Sequence, residues 1–564
     1  MNCSVHSSLP GGPGLTQVPR PLHPARGVLV LVLGVGLAAL LATAPASAQP
    51  SASGSEFQVN TNIGFGQFDP DATVLPGGEI VIVFTDIFWE GSGAGVFARR
   101  FDSTGAAIDP NAFLVNLTTA GAQGEPAIGR DDRGNFVVVW TSYGQDGDSA
   151  GIFGRVFGSS GAPLTGEFQV NEHTPSWQRK PALSVSGEGN FVVAWESNYQ
   201  DGDYLGVFAR QMSPSGAPLG GEFPVNLFTT GQQREASVAT DLRGNFVVTW
   251  HSYGQDGSGS GIIGRRFGRK GAPISGEFIV NEWTTSTQKA PRIAMHPTGE
   301  FVVTWRTFNA DGSGYGVAAR RFHLDGDAAG PEILVNEWTT GWQQRSDVEM
   351  DAAGNFVVVW DSYDQDGEDV GLFARVVDAG GIPAGGEFQV NTYTTSDQWY
   401  GAVATGEDGG FVLAWRSEEQ DGNGAGVFAR RYDAPDVCGL LDGDSDGLGD
   451  LCDVALIAPV PGEVLDCADP KSGRPWVAWG GGGYDRFRVE IASDPNFTQG
   501  LLLTSGKKLK KGGTWRPSTK KWKKVCRSGA PDLFVRLFGV DNDVPKGSPG
   551  WTNHSQVIQA EASY

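Results

Sequence analysis

Twelve residues near the end of the chain carry its densest chemistry: Asp442-Gly443-Asp444-Ser445-Asp446-Gly447-Leu448-Gly449-Asp450-Leu451-Cys452-Asp453. Carboxylates stand at positions 1, 3, 5, 9 and 12, and glycine at position 6. This spacing wraps oxygen donors around one Ca²⁺. Asp442, Asp444, Asp446, Asp450 and Asp453 would supply carboxylate oxygens, and Leu448 at position 7 a backbone carbonyl. An acidic solvated linker is the plain alternative, but it would not need the regular spacing. Position 12 is Asp rather than Glu, and no amphipathic helix flanks the loop, so a helix–loop–helix calcium hand does not fit. Cys438 and Cys452 bracket the loop and could staple it. Cys467 and Cys526 remain to pair with each other.

A second set of polar residues recurs along the chain. A Val-Asn pair places its Asn at Asn60, Asn116, Asn171, Asn226, Asn281, Asn336 and Asn391, 56 residues apart once and 55 thereafter. A Gln follows seven residues after each. Five copies put an aromatic ring two residues after the Asn: His173, Phe228, Trp283, Trp338 and Tyr393. Aromatic faces beside amides and carboxylates stack on sugar rings and bond their hydroxyls. These five are the expected ligand face for a carbohydrate or protein, with packing between loops as the alternative. Asn, Gln and a third-strand Arg recur in every copy, so they read as structural. The Arg is expected to pair with the Glu of a recurring Gly-Glu-Phe stretch on the adjacent strand.

Catalytic signals are sparse. His173, His251, His296, His323 and His554 sit in unlike contexts, without a nucleophile elbow or a His-Glu-x-x-His frame. No catalytic residue is assigned, and a non-enzymatic protein is expected. Carboxylates paired across a ring mouth, as in glycan hydrolases, are one alternative, and a purely structural cell-surface component is another. The one marked break in the repeat is Trp89-Glu90-Gly91, where other copies have an Asp-Gly turn.

The repeats dictate the elements that would hold these residues. Each period carries four short runs rich in Val and Phe, separated by Gly, Asp and Asn: a weak run such as Lys180–Val185, then FVVAW, GVFAR and GEFPV in the third copy. That is strand chemistry, and four antiparallel strands in about 55 residues make one propeller blade. A GEFQV-like strand at Glu56–Val59 stands alone before the first full set, and the seventh set, ending at Tyr432, lacks one. The orphan should therefore complete the last blade and seal a ring of seven. An open stacked array would not need that offset.

These GEFxVN, FVVxW and GVFARRF units resemble the repeats of secreted bacterial β-propellers over residues 56–432. Phe157-Gly158 with Gly161-Ala162-Pro163, and the matching run from Phe267, also resemble the FG-GAP repeat of integrin α chains. No Asp-x-Asp-x-Asp-Gly loop lies within the blades, so calcium binding by the blades does not follow. The 442–453 loop is similar to a thrombospondin type 3 repeat. Residues 455–564 change character, with strand candidates Trp476–Trp479, Arg486–Ile491, Leu501–Thr504 and Leu533–Val540, and resemble fibronectin type III-like modules. The expected chain is all-β: a seven-bladed β-propeller (56–433) after a short linker (49–55), a calcium loop (434–454) and a C-terminal β-sandwich (455–564).

The N-terminus bears on localisation. Arg20 and Arg26, an apolar run from Gly27 to Ala44 and Ala46-Ser47-Ala48 have the three parts of a secretory signal peptide, with cleavage expected after Ala48. An uncleaved anchor is the alternative, and no other segment is apolar enough to span a bilayer. Removal takes Cys3 with it and leaves four cysteines, an even number, as disulfides in an exported chain require. With 42 Lys and Arg against 64 Asp and Glu, the net charge of −22 repels phosphate and argues against a nucleic-acid partner. One basic stretch, Lys507–Arg527 with Trp515 and Trp522 interleaved, stands apart as a solvated strand edge or a face for an acidic partner.

Overall fold

The computed structural model describes residues 49–87 and 93–433 in full, and the course of nine strands between residues 455 and 563. Residues 1–48, where a signal peptide is expected, Trp89-Glu90-Gly91, the Asp442–Asp453 segment and the cysteines Cys438, Cys452, Cys467 and Cys526 lie outside the described residues.

Seven four-stranded antiparallel sheets follow one another. In the second, Gln123–Arg130, Phe136–Tyr143, Ala150–Phe157 and Phe168–Gln169 run from the innermost strand to the outermost. The others repeat this plan. The second strand is buried almost throughout because both faces of a blade meet another blade. Hence the continuous Phe-Val-Val-Val-Trp pattern in place of an alternating one.

Seven apolar clusters fill the seven gaps between blades. One joins the first blade to the last: Ile82, Phe84 and Phe97 pack against Val412, Val427 and Ala429, with Val59 among them. Trp140, Trp195, Trp250, Trp305, Trp360 and Trp415 are each fully buried, as is Phe84 at the same point of blade one.

The ring closes as the offset of the repeats requires. Phe57–Gln58 pairs antiparallel with Ala425–Tyr432, Phe57 opposite Ala429 and Gln58 opposite Phe428. Val59 N–H donates to the Val427 carbonyl at 2.8 Å, Ser53 N–H to Arg431 at 2.8 Å, and Asp433 N–H to Ser51 at 3.0 Å.

The recurring polar residues fasten the interblade loops. Each Asn side-chain oxygen accepts the N–H of a third-strand residue, as Asn171 does from Ile152 and Asn226 from Val207, both at 2.8 Å. Its amide donates to a carbonyl two residues on and, in six blades, to the Asp of the Asp-Gly turn. In six copies it also donates to its Gln partner, at 2.8 Å for Asn60–Gln67.

The expected pairing of the third-strand Arg with the Gly-Glu-Phe Glu is not what forms. All seven arginines reach into the preceding blade and donate to the carbonyl of the Val before its Asn, Arg155 to Val115 at 2.9 Å and Arg210 to Val170 at 2.8 Å among them. The Glu clasps the preceding interblade loop by its backbone: Glu387 accepts from Glu337 N–H at 2.7 Å and Trp338 N–H at 3.0 Å. Both residues therefore serve the joint between blades.

The C-terminal strands form two sheets. Ala455–Ala458, Val477–Gly480 and Gly513–Trp515 make one of three strands; Val464–Asp466, Ile558–Ser563, Asp532–Val540, Arg486–Ala492, Leu501–Thr504 and Thr552–His554 make one of six. The four sequence-read strands recur there within a residue or two.

Candidate functional site

The site grows out of one backbone defect repeated seven times. Every innermost strand shifts register between its second and fifth residues, a β-bulge against the second strand. Pro70, Pro126, Pro181 and Pro291 occupy the bulge in four blades, where no ladder hydrogen bond is needed from them. The residue just before takes a left-handed conformation: Asp69, Glu125, Lys180, Glu235, Ala290, Arg345 and Tyr400, with φ between 49° and 57°. Such strain costs about 1 kcal/mol or more per residue and persists where surrounding contacts enforce it. In three blades a carboxylate of the preceding blade supplies such a contact. Lys180 N–H donates to Glu125 Oε2 at 3.1 Å, Glu235 N–H to Glu196 Oε1 at 2.8 Å, and Tyr400 N–H to Asp361 Oδ1 at 3.0 Å.

These seven residues stand around the central axis, two residues below the interblade loops. Their neighbours across the second strand, one after each buried aromatic, are Thr85, Thr141, Glu196, His251, Arg306, Asp361 and Arg416. Scaffold positions barely vary between copies, whereas this layer holds six residue types at the strained position and five on the second strand across from it.

Electrostatics divide the layer. Glu196 is fully buried and lies 3.6 Å from Arg179, 3.8 Å from Lys180 and 3.7 Å from Arg234. Glu235 lies 3.4 Å from Lys180 and 3.3 Å from His251. Burial would raise the Glu235 carboxyl, but His251, Lys180 and Arg306 together outweigh it and hold the group well below the usual range. Arg345 meets Asp361 at 3.0 Å and lies 4.7 Å from the Tyr400 ring centre; Arg416 covers Phe68 at 4.1 Å. Asp69 faces this network with no hydrogen bond or ion pair of its own among the described residues. Burial, then Glu125, push its carboxyl up to about 6, against the pull of Arg416 and Lys180.

Glu196→Ala should be costly, because it takes the shared counter-charge from Arg179 and Arg234 and leaves Lys180 with Glu235 alone. We expect a loss of about 3 kcal/mol, read by chemical denaturation, against a smaller loss for Glu196→Gln. Equal, negligible losses would show that solvent alone screens the cations.

Deeper in the shaft, Asp71, Asp347 and Glu349 form a second acidic layer. Asp71 accepts from Ile128 N–H at 2.9 Å and Asp347 from Val403 N–H at 3.0 Å, each tying its blade to the next. Arg292 lies 3.8 Å from Asp347, and Arg130 bridges to Glu407 of blade seven at 3.8 Å. Asp347 keeps 23 % of its side-chain surface accessible while protein crowds it, as befits a group lining a narrow shaft.

Of the five interblade aromatics, Trp283 and Trp338 are exposed, at 46 % and 38 %, and His173, Phe228 and Tyr393 are half-buried. Their loops are pinned, but no two of these rings touch. The layer at the bulges and the rings beside it (Tyr143, Trp177, Tyr253, Phe308, Trp342, Tyr363, Trp399) were not singled out from the sequence. The available signal was variation: six residue types at one position of an otherwise regular repeat. Among the described residues, no three His, Cys, Asp or Glu side chains are placed to hold a metal ion.

No protein-family model and no curated protein sequence matches the chain. Solved structures resemble it at low identity and low structural overlap. The β-propeller domain of the Trilobed protease from Pyrococcus furiosus is 10 % identical, covering 66 % of this chain and 94 % of its own, with a TM-score of 0.39. An α-L-arabinanase from Penicillium chrysogenum is 12 % identical, covering 67 % and 98 %, with a TM-score of 0.39. A protein of unknown function from Dyadobacter fermentans is 11 % identical, covering 68 % and 99 %, with a TM-score of 0.41. Seven four-stranded sheets, the last completed by the N-terminal strand, make the described ring an all-β seven-bladed propeller.

Proposed function

We propose that this is an exported, non-enzymatic binding protein. Its propeller presents the mouth of the central channel, on the interblade-loop face, to an extracellular carbohydrate. One observation carries the reading: a uniform scaffold holds, on strained backbone, a ring of seven residues whose identities vary from blade to blade. A residue that only supported the blade would recur as the Asn, Gln and Arg do. Mixed carboxylates, cations and a phenol beside exposed aromatic rings offer both donors and acceptors for hydroxyl groups. The test is a glycan-binding screen of the full-length protein. Saturable binding of a glycan class supports the reading, and absence of any glycan binding defeats it.

A glycan hydrolase is the second reading, favoured by Asp69. This carboxyl is unpaired, stands beside Glu125 and is held near 6, where a general acid works. Release of reducing ends by the parent, lost in Asp69→Asn, would replace binding by hydrolysis.

In the same reading the Asp442–Asp453 segment takes Ca²⁺ and stiffens the link to a C-terminal sandwich, as suits adhesion outside the cell. Calorimetric titration of the full chain should show one calcium-binding event, with affinity on the order of 10⁻⁴ to 10⁻³ M. It should vanish in Asp444→Ala plus Asp446→Ala. No calcium heat in the parent at millimolar concentration would defeat the assignment.

A further inference from the structure

Blades five and six break the ring's regularity with aromatic side chains. Trp342 stands just before the first residue of the sixth inner strand and is 47 % exposed. Tyr315, opening the third strand of blade five, meets it nearly perpendicular, with centres 5.9 Å apart. Tyr363, closing the second strand of blade six, meets it from another side at 5.8 Å and 63°. Phe308 braces Tyr315 at 5.1 Å. Residues at the Trp342 position in the other blades are Gly66, Ala122, Trp177, Gln232, Thr287 and Asp397. Only Trp177 is also a ring, and the Arg179 guanidinium covers it at 4.0 Å. Among the described residues, no cation covers Trp342.

The rings are held from beneath. Gln344, nearly fully buried, donates to the Tyr363 hydroxyl at 3.3 Å and accepts from Arg306 at 3.1 Å; Arg306 in turn lies 5.2 Å from the Tyr315 ring centre. Gly314 has a left-handed φ of 57°, and a Cβ there would come within 2.3 Å of Trp342 Cδ1. The indole therefore packs closely against the backbone at Gly314. An exposed flat ring normally loses little by moving. One flanked by two edge-on rings, with an amide–guanidinium pair behind them, is organised before any ligand arrives.

We infer that Trp342, flanked by Tyr315 and Tyr363, is a subsite for one pyranose ring of a neutral polysaccharide. The C–H face of the sugar stacks on the indole, and the two phenols bond its hydroxyls. A stacked indole needs no charge on the sugar, and the net charge of −22 repels an anionic polymer approaching the ring. This inference rests on the carbohydrate reading above and places its strongest contact on Trp342 rather than on the interblade rings Trp283 and Trp338.

The full chain is titrated calorimetrically with hexasaccharides of β-1,4-linked glucose, xylose and mannose, and with hexagalacturonate as an anionic arm. At least one neutral hexasaccharide should bind. Trp342→Ala should weaken it about thirtyfold, as loss of a central aromatic contact does, at unchanged melting temperature. Trp342→Phe should recover most of the affinity, Gly314→Ala should weaken it by displacing the indole, and Trp283→Ala plus Trp338→Ala should bind as the parent does. Unchanged affinity in Trp342→Ala, with loss in the Trp283 and Trp338 variant, overturns the subsite and leaves the carbohydrate function standing. Binding of the anionic hexamer alone overturns the neutral ligand. No binding by the parent overturns both.

Discussion

Deleting residues 49–60 should lower the melting temperature of the ring by about 10 °C or more, or leave it unable to fold. The segment contributes Phe57–Gln58 as the outer strand of the last blade and the fully buried Val59 in the gap between last and first. It also supplies Asn60, whose side chain accepts the Val427 N–H at 2.9 Å, and the carbonyl of Val59, which accepts from Arg99 at 3.1 Å. Burial of Val59 and part of Phe57, with several hydrogen bonds at about 1 kcal/mol each, amounts to about 5 kcal/mol at least. Loss of the strand further exposes the edge of Ala425–Tyr432, so aggregation should accompany the loss. Differential scanning calorimetry of the truncated chain checks this. An unchanged transition would mean that the ring does not close through its N-terminal strand.

Acid should stabilise the ring relative to mild base, through Asp71, Asp347 and Glu349. Burial, and then Asp347, push the Glu349 carboxyl up to about 8. Burial is also the largest cause for Asp71, at about 7, and for Asp347, whose carboxyl is raised despite Arg292. In the unfolded chain all three titrate near 4. Between roughly pH 4 and 8 the folded ring therefore binds more protons than the unfolded chain, and its stability falls as pH rises through that window. A tenfold difference in proton affinity between the folded and unfolded chain is worth about 1.4 kcal/mol, reduced here by solvent in the shaft. The melting temperature should drop by roughly 5–10 °C from pH 5 to pH 8. The general repulsion of an acidic protein acts in the same direction, so Asp71→Asn and Glu349→Gln isolate the shaft: both should flatten the profile and raise the melting temperature at pH 8. A parent profile that rises from pH 5 to 8 would contradict this assignment.

The sequence made the ring legible because its period is long, regular and offset at the two ends. Glu56–Val59 without a blade and Tyr432 without an outer strand have one joint solution. The site was hidden for a geometric reason. Alternation along a strand tells which residues share a face only while the register holds, and each inner strand breaks register before its fourth residue. Lys180, Glu235 and Arg345 thus look like ordinary polar residues of a weak strand. Trp342 was obscured because its partners Tyr315 and Tyr363 come from different strands, one of them in another blade. The partner of each third-strand Arg was misjudged for a related reason: Arg210 lies near Glu222 in the chain, but its carbonyl partner Val170 belongs to the blade before.

Hydrogen exchange of the full chain, with and without a saturating bound oligosaccharide, tests most directly whether the channel mouth is the ligand site. Added protection is predicted where the inner strands begin, at residues 178–182, 233–237, 343–347 and 398–402, and in the adjoining segment 361–364. Protection confined to the outer interblade loops at 281–285 and 336–340, or to the hairpins of the opposite face at 131–135 and 351–355, would contradict it.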